Sequence, residues 1–229
     1  MPVTNQKINI ITIDGPSGTG KGTLCALLAA SLGWHLLDSG AIYRGLAYAA
    51  HTQQISPEDI PALLRLIPSL NFHFTPEGEM WWQGQNIRDF IRQESIGEMA
   101  SRLAIWPEIR KALLEYQHSF AQAPGLVTDG RDMGTVVFPE ARVKFYLDAS
   151  AEVRAQRRYS QLKAQDVCVS IPQVLGELIK RDTRDTSRLN SPLLPAVDAV
   201  IIDTTSMSID AVLQNMLEVV YSRLGIHPK

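Results

Sequence analysis

The stretch Gly15-Pro16-Ser17-Gly18-Thr19-Gly20-Lys21-Gly22-Thr23 has two glycines separated by four residues, the second followed directly by a lysine. An apolar run, Ile8 to Ile13, precedes it, and leucines at helical spacing follow it from Leu24 to Leu32. This order predicts a strand, a tight loop and a helix. Small residues let successive backbone N–H groups surround an anion, and the start of the helix adds partial positive charge. The stretch is therefore predicted to bind phosphate, with Lys21 following the β- and γ-phosphates of a nucleotide.

One position departs from the usual phosphate-loop pattern. Gly22 stands where a hydroxyl residue commonly follows the lysine, and Thr23 comes one residue later. Lys-Gly-Thr at this place resembles the loop of nucleoside monophosphate kinases. The departure weakens the expectation that a loop hydroxyl ligates Mg²⁺ directly. The alternative for the whole stretch is a glycine-rich surface turn, which the strand-and-helix context disfavours.

The composition is ordinary for a globular protein. The 229 residues are 45% hydrophobic and 20% charged, enough for one domain with insertions or two small domains. A net charge of −2 gives no support to a nucleic-acid groove or an anionic membrane surface. Met1 to Lys7 has no signal-peptide core, and no apolar run reaches membrane-spanning length, so a cytoplasmic protein is expected.

The cysteines and histidines suggest neither a disulfide nor a metal site. Cys25 and Cys168 lie far apart and have no CxxC partner, so both are expected to be buried thiols in a reducing compartment. The five histidines are scattered without metal-ligand spacing, which argues against zinc.

Short apolar runs flanked by turn residues or helices recur along the chain. Runs of this kind suit strands buried on both faces of a parallel sheet, and helical patterns lie between them. A last helix is predicted from Ser208 to Leu224, with Ser208 as its N-cap. The predicted fold class is α/β, a P-loop three-layer fold with a central parallel sheet. The predicted strands are Ile8–Ile13, Trp34–Leu37, Leu126–Thr128, Val143–Leu147 and Ala199–Ile202.

Two regions do not follow this alternation. Leu70 to Ile91 has alternating phenylalanines and a turn-like Pro76-Glu77-Gly78, which predicts a small antiparallel insert. Ala151 to Arg188 is helical and rich in arginine, and its alternative interpretation is a solvated helix pair on the surface. Elsewhere, Pro107 is expected to divide Glu98–Gln117 into two helices.

A polar segment, Asp38-Ser39-Gly40-Ala41-Ile42-Tyr43-Arg44, follows the second predicted strand and opens a helix. We expect Ser39 to cap this helix, whose first N–H groups would face a bound anion. Tyr43 and Arg44 would then lie one turn further on. The alternative is a plain N-cap with a surface arginine.

A second polar segment, Asp129-Gly130-Arg131-Asp132-Met133-Gly134, follows the strand Leu126–Thr128. Ligands of open α/β sheets bind beyond the carboxyl ends of the strands. Asp129 is predicted to hold Mg²⁺ through water, Arg131 to grip phosphate with a bidentate fork, and Asp132 to accept a hydrogen bond from a base or sugar. The alternative is a salt cluster that closes the turn.

Two groups of basic residues are predicted to share one helical face each, the first through spacings of three and four positions and the second at positions i and i+7, with an aspartate at i+4. The first group is Arg154, Arg157 and Arg158, and the second is Arg181 and Arg188, with Asp185 between them, if the helix continues. Arginines near a phosphate loop can stabilise the charge on a transferring phosphoryl group. The alternative is an ion-pair network with Glu152, Asp182 and Asp185.

Four segments make the chain similar to the bacterial cytidylate kinases over nearly its full length: Ile11 to Gly18, Leu37 to Arg44, Asp129 to Pro139, and Arg181 to Arg188. The resemblance implies phosphorylation of CMP and dCMP to CDP and dCDP, with ATP as phosphate donor and Mg²⁺. It implies one P-loop kinase unit with a CORE (about 1–38, 111–150 and 189–229), an NMP-binding region with the insert (about 39–110) and a short LID (about 151–188). We expect a monomer that acts on small molecules, without nucleic-acid or membrane partners.

The resemblance also assigns residues to the two nucleotides. ATP would lie over the loop Gly15–Thr23, with Arg157 reaching it from the LID. The acceptor nucleotide and its phosphate would contact Ser39, Tyr43, Arg44 and Arg131. The cytosine edge would contact Ser101, Arg110 and Asp132. The sugar and phosphate would contact Arg181, Asp185 and Arg188. The predicted catalytic residues are Lys21, Arg131, Arg157 and Arg188.

Three other functions stay open at this point. A kinase for UMP, AMP or another metabolite is the nearest, although Asp129-Gly130-Arg131-Asp132 replaces the Asp-Gly-Phe-Pro-Arg of adenylate kinases, which argues against AMP. A nucleotide-dependent switch is weakened by the absence of a guanine-reading Asn-Lys-x-Asp. A P-loop enzyme that modifies nucleic acid is disfavoured by the acidic net charge.

Overall fold

A computed structural model describes residues 8–75, 79–164 and 166–226. Within these ranges the strands are β1 (Asn9–Asp14), β2 (His35–Asp38), β3 (His73–Phe74), β4 (Met80–Trp82), β5 (Gln85–Asn86), β6 (Gly125–Gly130), β7 (Val143–Asp148) and β8 (Val200–Asp203). The helices are α1 (Lys21–Leu32), α2 (Ser39–Thr52), α3 (Ile60–Leu66), α4 (Glu94–Leu103), α5 (Pro107–His118), α6 (Ala151–Lys163), α7 (Ile171–Thr186) and α8 (Ile209–Leu224). A single π-helical turn covers Met133–Val137.

The main sheet has five strands in the order β2-β6-β1-β7-β8. The central strand β1 pairs in parallel with β6 on one side and with β7 on the other, and β7 pairs in parallel with β8. These are the five strands predicted from the sequence, with ends that differ by no more than two residues. The predicted α/β class with a central parallel sheet is confirmed.

One hydrophobic core joins the central strands to helices α1 and α8. Because β1 and β7 are covered, their side chains are buried along continuous runs rather than at alternate positions. Complete burial of each isoleucine or leucine is worth about 1.5–3 kcal/mol, so this core fixes β1 and the start of the loop that follows it. Its fully buried members include Ile11, Ile13, Leu28, Phe145, Met216 and Val220.

Helices begin where the sequence provides capping groups. The hydroxyl of Ser208 accepts a hydrogen bond from the N–H of Ala211, as predicted for the last helix. Ser170 and Gln173 form a reciprocal capping box at the start of α7. Pro107 is the first residue of α5 and separates it from α4, which confirms the predicted division of this region.

The predicted insert is a three-stranded antiparallel sheet, β3-β4-β5, in which His73 pairs with Trp81 and Trp82 pairs with Gln85. The turn predicted at Pro76-Glu77-Gly78 lies outside the described residues. A side chain at Gly45 of α2 would begin 2.6 Å from the ring of Phe72 and 2.5 Å from Met80 Cε. The absence of a side chain at this position therefore allows α2 to approach the insert closely.

The chain divides into two compact units. The first unit comprises Met1–Leu37 and Phe120–Lys229, and the second comprises Asp38–Ser119. The first contains the phosphate loop with α6 and α7, and the second contains α2 to α5 with the insert. The finer division into CORE, NMP-binding region and LID stays a prediction.

The expectation for the cysteines was half wrong. Both are thiols, and Cys25 is buried on the inner face of α1, but Cys168 is exposed because it lies in the connection between α6 and α7. No helix within the described ranges combines the length and the apolar character that crossing a membrane requires.

The close approach at Gly45 gives a first prediction. In Gly45→Ala the new methyl group must displace the buried Phe72 and Met80, so we expect the free energy of unfolding to fall by about 1–3 kcal/mol. Gly97→Ala in α4 is the matched control, because nothing lies within 4 Å of its Cβ position. That variant should gain roughly 0.5–1 kcal/mol from helix propensity. Urea unfolding of both variants measures the difference, and equal stabilisation of both would contradict the packing described.

Candidate active site

The phosphate loop and the second polar segment begin at one edge of the main sheet. In the parallel register Asp14 of β1 lies beside Gly130 of β6 and Tyr146 of β7, so these three strands end within two residues of one another. The loop follows β1, Arg131 and Asp132 follow β6, and α6 follows β7. This edge is where ligands of open α/β sheets bind.

The loop conformation depends on its glycines. Gly15, Gly18 and Gly20 have φ angles of +145°, +83° and +94°, which side chains rarely allow. A Cβ at Gly15 would lie 2.0 Å from the carbonyl oxygen of Leu147. A Cβ at Gly18 would lie 3.0 Å from Cβ of Arg154 in α6. Backbone freedom and close approach therefore both require glycine in this loop.

Lys21 is the first residue of α1, and its side chain folds back over the loop. Its Nζ donates to the carbonyl oxygen of Pro16 at 2.6 Å, and the hydroxyl of Thr19 donates to the same oxygen at 3.1 Å. Burial, followed by repulsion from Arg131, lowers the pKa of Lys21 to about 7. The nearby carboxylate of Asp129 acts in the opposite direction without restoring the usual value.

Two arginines of α6 hold carbonyl groups of the loop. Arg154 Nη1 donates to Ser17 O at 3.1 Å, and Arg157 Nη1 donates to Thr19 O at 3.5 Å. The hydroxyl of Thr204 shares its single proton between Asp148 O at 3.0 Å and Thr19 O at 3.3 Å. Because C=O and N–H point in opposite directions across a trans peptide, these donors turn the N–H groups of Gly18 and Gly20 away from α6.

A second basic cluster centres on a buried carboxylate. Asp185, near the end of α7, accepts from Arg131 Nε at 2.8 Å and also pairs with Arg188. Burial alone would raise the pKa of Asp185, but Arg131 and Arg188 keep it below its usual value. Burial would likewise lower the pKa of Arg131, and Asp185 reverses that shift. Two guanidinium groups are thus held side by side on one anion.

Asp14, the last residue of β1, fixes the segment that carries Arg131 and Asp132. Its two carboxylate oxygens each accept a backbone N–H at 2.8 Å, from Met133 and from Gly134. Burial raises the pKa of Asp14 to about 6 despite these two donors. The carboxylate therefore ties the end of β1 to the turn after β6, and so sets the position of the basic cluster.

In the second unit, the prediction that Ser39 caps α2 is wrong. Asp38 is the N-cap: its backbone is extended and its Oδ1 accepts from the N–H of Ala41 at 2.8 Å. Ser39 is already helical, and its buried hydroxyl donates to Gln117 Oε1 at 2.7 Å. The residue whose backbone is extended makes the cap, and the sequence alone does not distinguish two adjacent capping residues.

The other predicted acceptor residues of this unit lie on α2, α4 and α5. The guanidinium of Arg110 lies 5.8 Å from the centre of the Tyr43 ring, which brings two of them together. Arg44 pairs with Asp38 at 2.7 Å and stays partly exposed. Ser101 is buried in α4. Arg44 thus has a local counter-ion, as Arg131 has in the first unit.

The arginine-rich helices required another correction. Helix α7 ends at Thr186, so Arg188 lies beyond its C-cap and not on a continued helical face. It meets Asp185 nonetheless. The alternative of an ion-pair network describes these contacts well, since Arg154 also pairs with Asp182 at 2.6 Å. The salt cluster considered for the turn after β6 does not account for Arg131, which pairs with Asp185 of α7 instead.

Sequence reasoning gave no role to several residues that shape the site. Asp14 fixes the turn after β6, Thr204 holds the loop, and Gln117 accepts from Ser39. Arg154 was grouped with Arg157 by spacing but had no assigned contact. For Asp14 alone the sequence offered a signal of such a role, because it is a charged residue directly before the glycine loop.

Comparisons with known proteins identify the family of the chain. A family model described as cytidylate kinase matches residues 11–222. A cytidylate kinase of Aeromonas hydrophila subsp. hydrophila is 51% identical over 223 residues, covering 96% of this chain and 97% of the relative. One of Shewanella frigidimarina is 48% identical over 227 residues, covering 97% and 99%. Matches of this length and identity confirm the resemblance, and the chain belongs to the cytidylate kinase family.

Proposed function

We propose that this chain transfers the γ-phosphoryl group of ATP to CMP and dCMP, forming CDP or dCDP and ADP. One observation carries the proposal. The first unit contains both a glycine loop with Lys21 folded over it and the Arg131–Asp185–Arg188 cluster. A loop of this kind binds polyphosphate. Arginines held ready beside it suit an anionic acceptor and the charge of the transition state.

We assign the phosphates of ATP to the loop Gly15–Thr23. The N–H groups of Gly18 and Gly20, turned away from α6, would donate to phosphate oxygens. Lys21 would exchange the Pro16 carbonyl for the β- and γ-phosphates. Arg157 would contact ATP from α6, beside Thr204.

We assign CMP to the residues that the resemblance to the family implies. Ser39, Tyr43 and Arg44 would meet the acceptor with Arg131; Ser101, Arg110 and Asp132 would contact the cytosine edge; and Arg181, Asp185 and Arg188 would contact the sugar and phosphate. Arg131 and Arg188 can each exchange part of their contact with Asp185 for phosphate oxygens. Positive charge would then be available without a change in protonation.

The chemistry needs no strong general base, because the acceptor oxygen is already part of an anionic phosphate. A bond forms between that oxygen and the γ-phosphorus, while the bond from the γ-phosphorus to the bridging oxygen breaks and ADP leaves in line. Lys21, Arg131, Arg157 and Arg188 would stabilise the charge on the transferring group. Exclusion of water by α6 and α7 would suppress ATP hydrolysis.

The residues present fit one Mg²⁺ ion held mainly by the nucleotide. Mg²⁺ commonly binds one or two carboxylates with substrate phosphates and water. The described ranges contain no cluster of three His, Cys, Asp or Glu side chains suited to a metal. Asp129, buried near the carboxyl end of β6 and close enough to act on the charge of Lys21, is the carboxylate we assign, through water. When bound, the ion would neutralise phosphate charge.

The function is tested by measuring ADP formation with ATP, Mg²⁺ and a panel of acceptors. We expect kcat/KM for CMP and dCMP to exceed the values for UMP and AMP by at least about a hundredfold, as hydrogen-bonded reading of a base edge allows. A preference for UMP, AMP or a non-nucleotide would contradict the proposal in favour of another kinase. ATP hydrolysis unaffected by every acceptor would favour a nucleotide switch. We also infer that the protein is a cytoplasmic monomer, and gel filtration tests the oligomeric state.

Lys21 should couple nucleotide binding to pH. With a pKa of about 7, Lys21 is mostly neutral at pH 8 in the free protein. Bound phosphates would raise that pKa, so binding of MgADP should take up roughly 0.8 proton at pH 8. Affinity should accordingly fall as pH rises above 7. Calorimetry in buffers of different ionisation enthalpy measures the uptake.

Lys21→Arg is the control for this experiment, because arginine stays protonated and should give an uptake near zero. The same binding enthalpy in every buffer for the native chain would contradict the role of Lys21. Lys21→Met should lower kcat strongly while the melting temperature changes little. A near-normal kcat in that variant would also contradict the role of Lys21.

Asp132 should contribute to the choice of base. We expect Asp132→Ala to lower the ratio of kcat/KM for CMP to that for UMP by about tenfold or more, with KM for ATP much less affected. Asp132→Asn, which keeps the volume of the side chain, separates loss of charge from loss of packing at this buried position. An unchanged preference among CMP, UMP and AMP in both variants would remove Asp132 from the base-reading set.

A further inference from the structure

We infer that Arg154 is a positioning residue for the phosphates of the donor nucleotide: it fixes the peptide group between Ser17 and Gly18 so that the N–H of Gly18 faces the phosphate. The inference rests on the proposed function for the identity of the donor. It concerns a residue that would not itself touch the nucleotide.

The contacts of Arg154 are all directed into the protein. Its Nε donates to Ala149 O at 2.9 Å, and its Nη1 donates to Ser17 O at 3.1 Å and to Asp182 Oδ2 at 2.6 Å. Only 6% of the residue is exposed. One guanidinium therefore joins the end of β7, the glycine loop and helix α7. Direct contact with ATP is not needed to explain its burial.

The peptide between Ser17 and Gly18 requires such a donor. Rotation of a peptide plane changes ψ of the preceding residue and φ of the next, and glycine at position 18 tolerates many values of φ. The glycine that allows the curled loop thus also allows the plane to turn over. In that orientation the N–H would point toward α6 and the carbonyl toward the phosphate. The hydrogen bond from Arg154 to Ser17 O favours the productive orientation.

Asp182 makes Arg154 suitable for this task. A buried guanidinium without a counter-ion is costly, and the carboxylate on α7 supplies one. The pair also fixes the rotamer of Arg154, since two different acceptors share Nη1. A lysine at position 154 has one ammonium group and lacks the planar fork, so it cannot reproduce all three contacts.

The loop carbonyl that Arg157 contacts differs from the one that Arg154 contacts in its number of donors. Arg157, one turn further along α6, donates to Thr19 O together with Thr204, so that carbonyl has a second donor. Among the contacts within the described ranges, Arg154 is the side-chain donor to Ser17 O. Loss of Arg154 should therefore affect one specific peptide plane of the loop.

The test compares Arg154→Lys with Lys163→Met, an exposed cation of the same helix, as control. We expect Arg154→Lys to raise the Kd for MgADP and KM for ATP about tenfold or more, while KM for CMP at saturating ATP changes less than about twofold. Lys163→Met should leave all three unchanged. Because MgADP binding needs no acceptor, this readout remains valid even if CMP proves to be the wrong substrate.

A purely structural role would give a different pattern. It predicts a lower melting temperature and a smaller active fraction, with Kd for MgADP and KM for ATP unchanged, and that result would overturn the inference. Asp182→Asn keeps the volume and an acceptor oxygen, so it provides a second variant if Arg154→Lys folds poorly. Asp182→Asn should also raise Kd for MgADP, by a smaller factor than Arg154→Lys. If Arg154→Lys does not fold, an unchanged affinity in a folded Asp182→Asn variant would contradict the inference.

Discussion

The glycine loop has a defined binding geometry because side chains outside it hold its carbonyl groups. Arg154, Arg157 and Thr204 donate to the carbonyls of Ser17 and Thr19, and so determine where the opposite N–H groups point. Glycine makes the loop possible, but its backbone freedom would leave those groups undirected. Helix α6 is therefore part of the phosphate site that we propose, and the central sheet fixes where loop and helix meet.

The second constraint is electrostatic. The first unit places the cations Lys21, Arg131 and Arg188 in one largely buried region. The protein limits the cost in two ways: the pKa of Lys21 falls to about 7, and Asp185 pairs with both arginines. A polyphosphate would reverse the first effect and compete with the second. The same features that keep the free protein stable thus prepare it for an anion.

Much of the fold was predictable because its signals are local. Strands buried on both faces appear as apolar runs, the loop appears as spaced glycines before a lysine, and Ser208 and Pro107 mark helix starts. The insert was recognisable from alternation and a turn signal. The comparisons confirm the family that these motifs indicated, over residues 11–222.

The remainder depends on contacts between distant segments or on exact backbone angles. No periodicity connects Asp14 with Met133, or Arg154 with Ser17. Asp38 replaced Ser39 as the cap because its backbone is extended, and Arg188 reaches Asp185 from beyond the helix end. Spacing could collect the arginines into groups, but it could not show which ones face a ligand and which hold the loop.

The most direct measurement is an NMR titration of the ¹⁵N-labelled chain with MgADP, following the backbone amides of the loop. The amide protons of Gly18 and Gly20 should move strongly downfield as they form hydrogen bonds to phosphate, and CMP alone should leave them nearly unchanged. If MgADP binds while both amides keep their free-state shifts, the nucleotide is held elsewhere and the site described here is not the donor site.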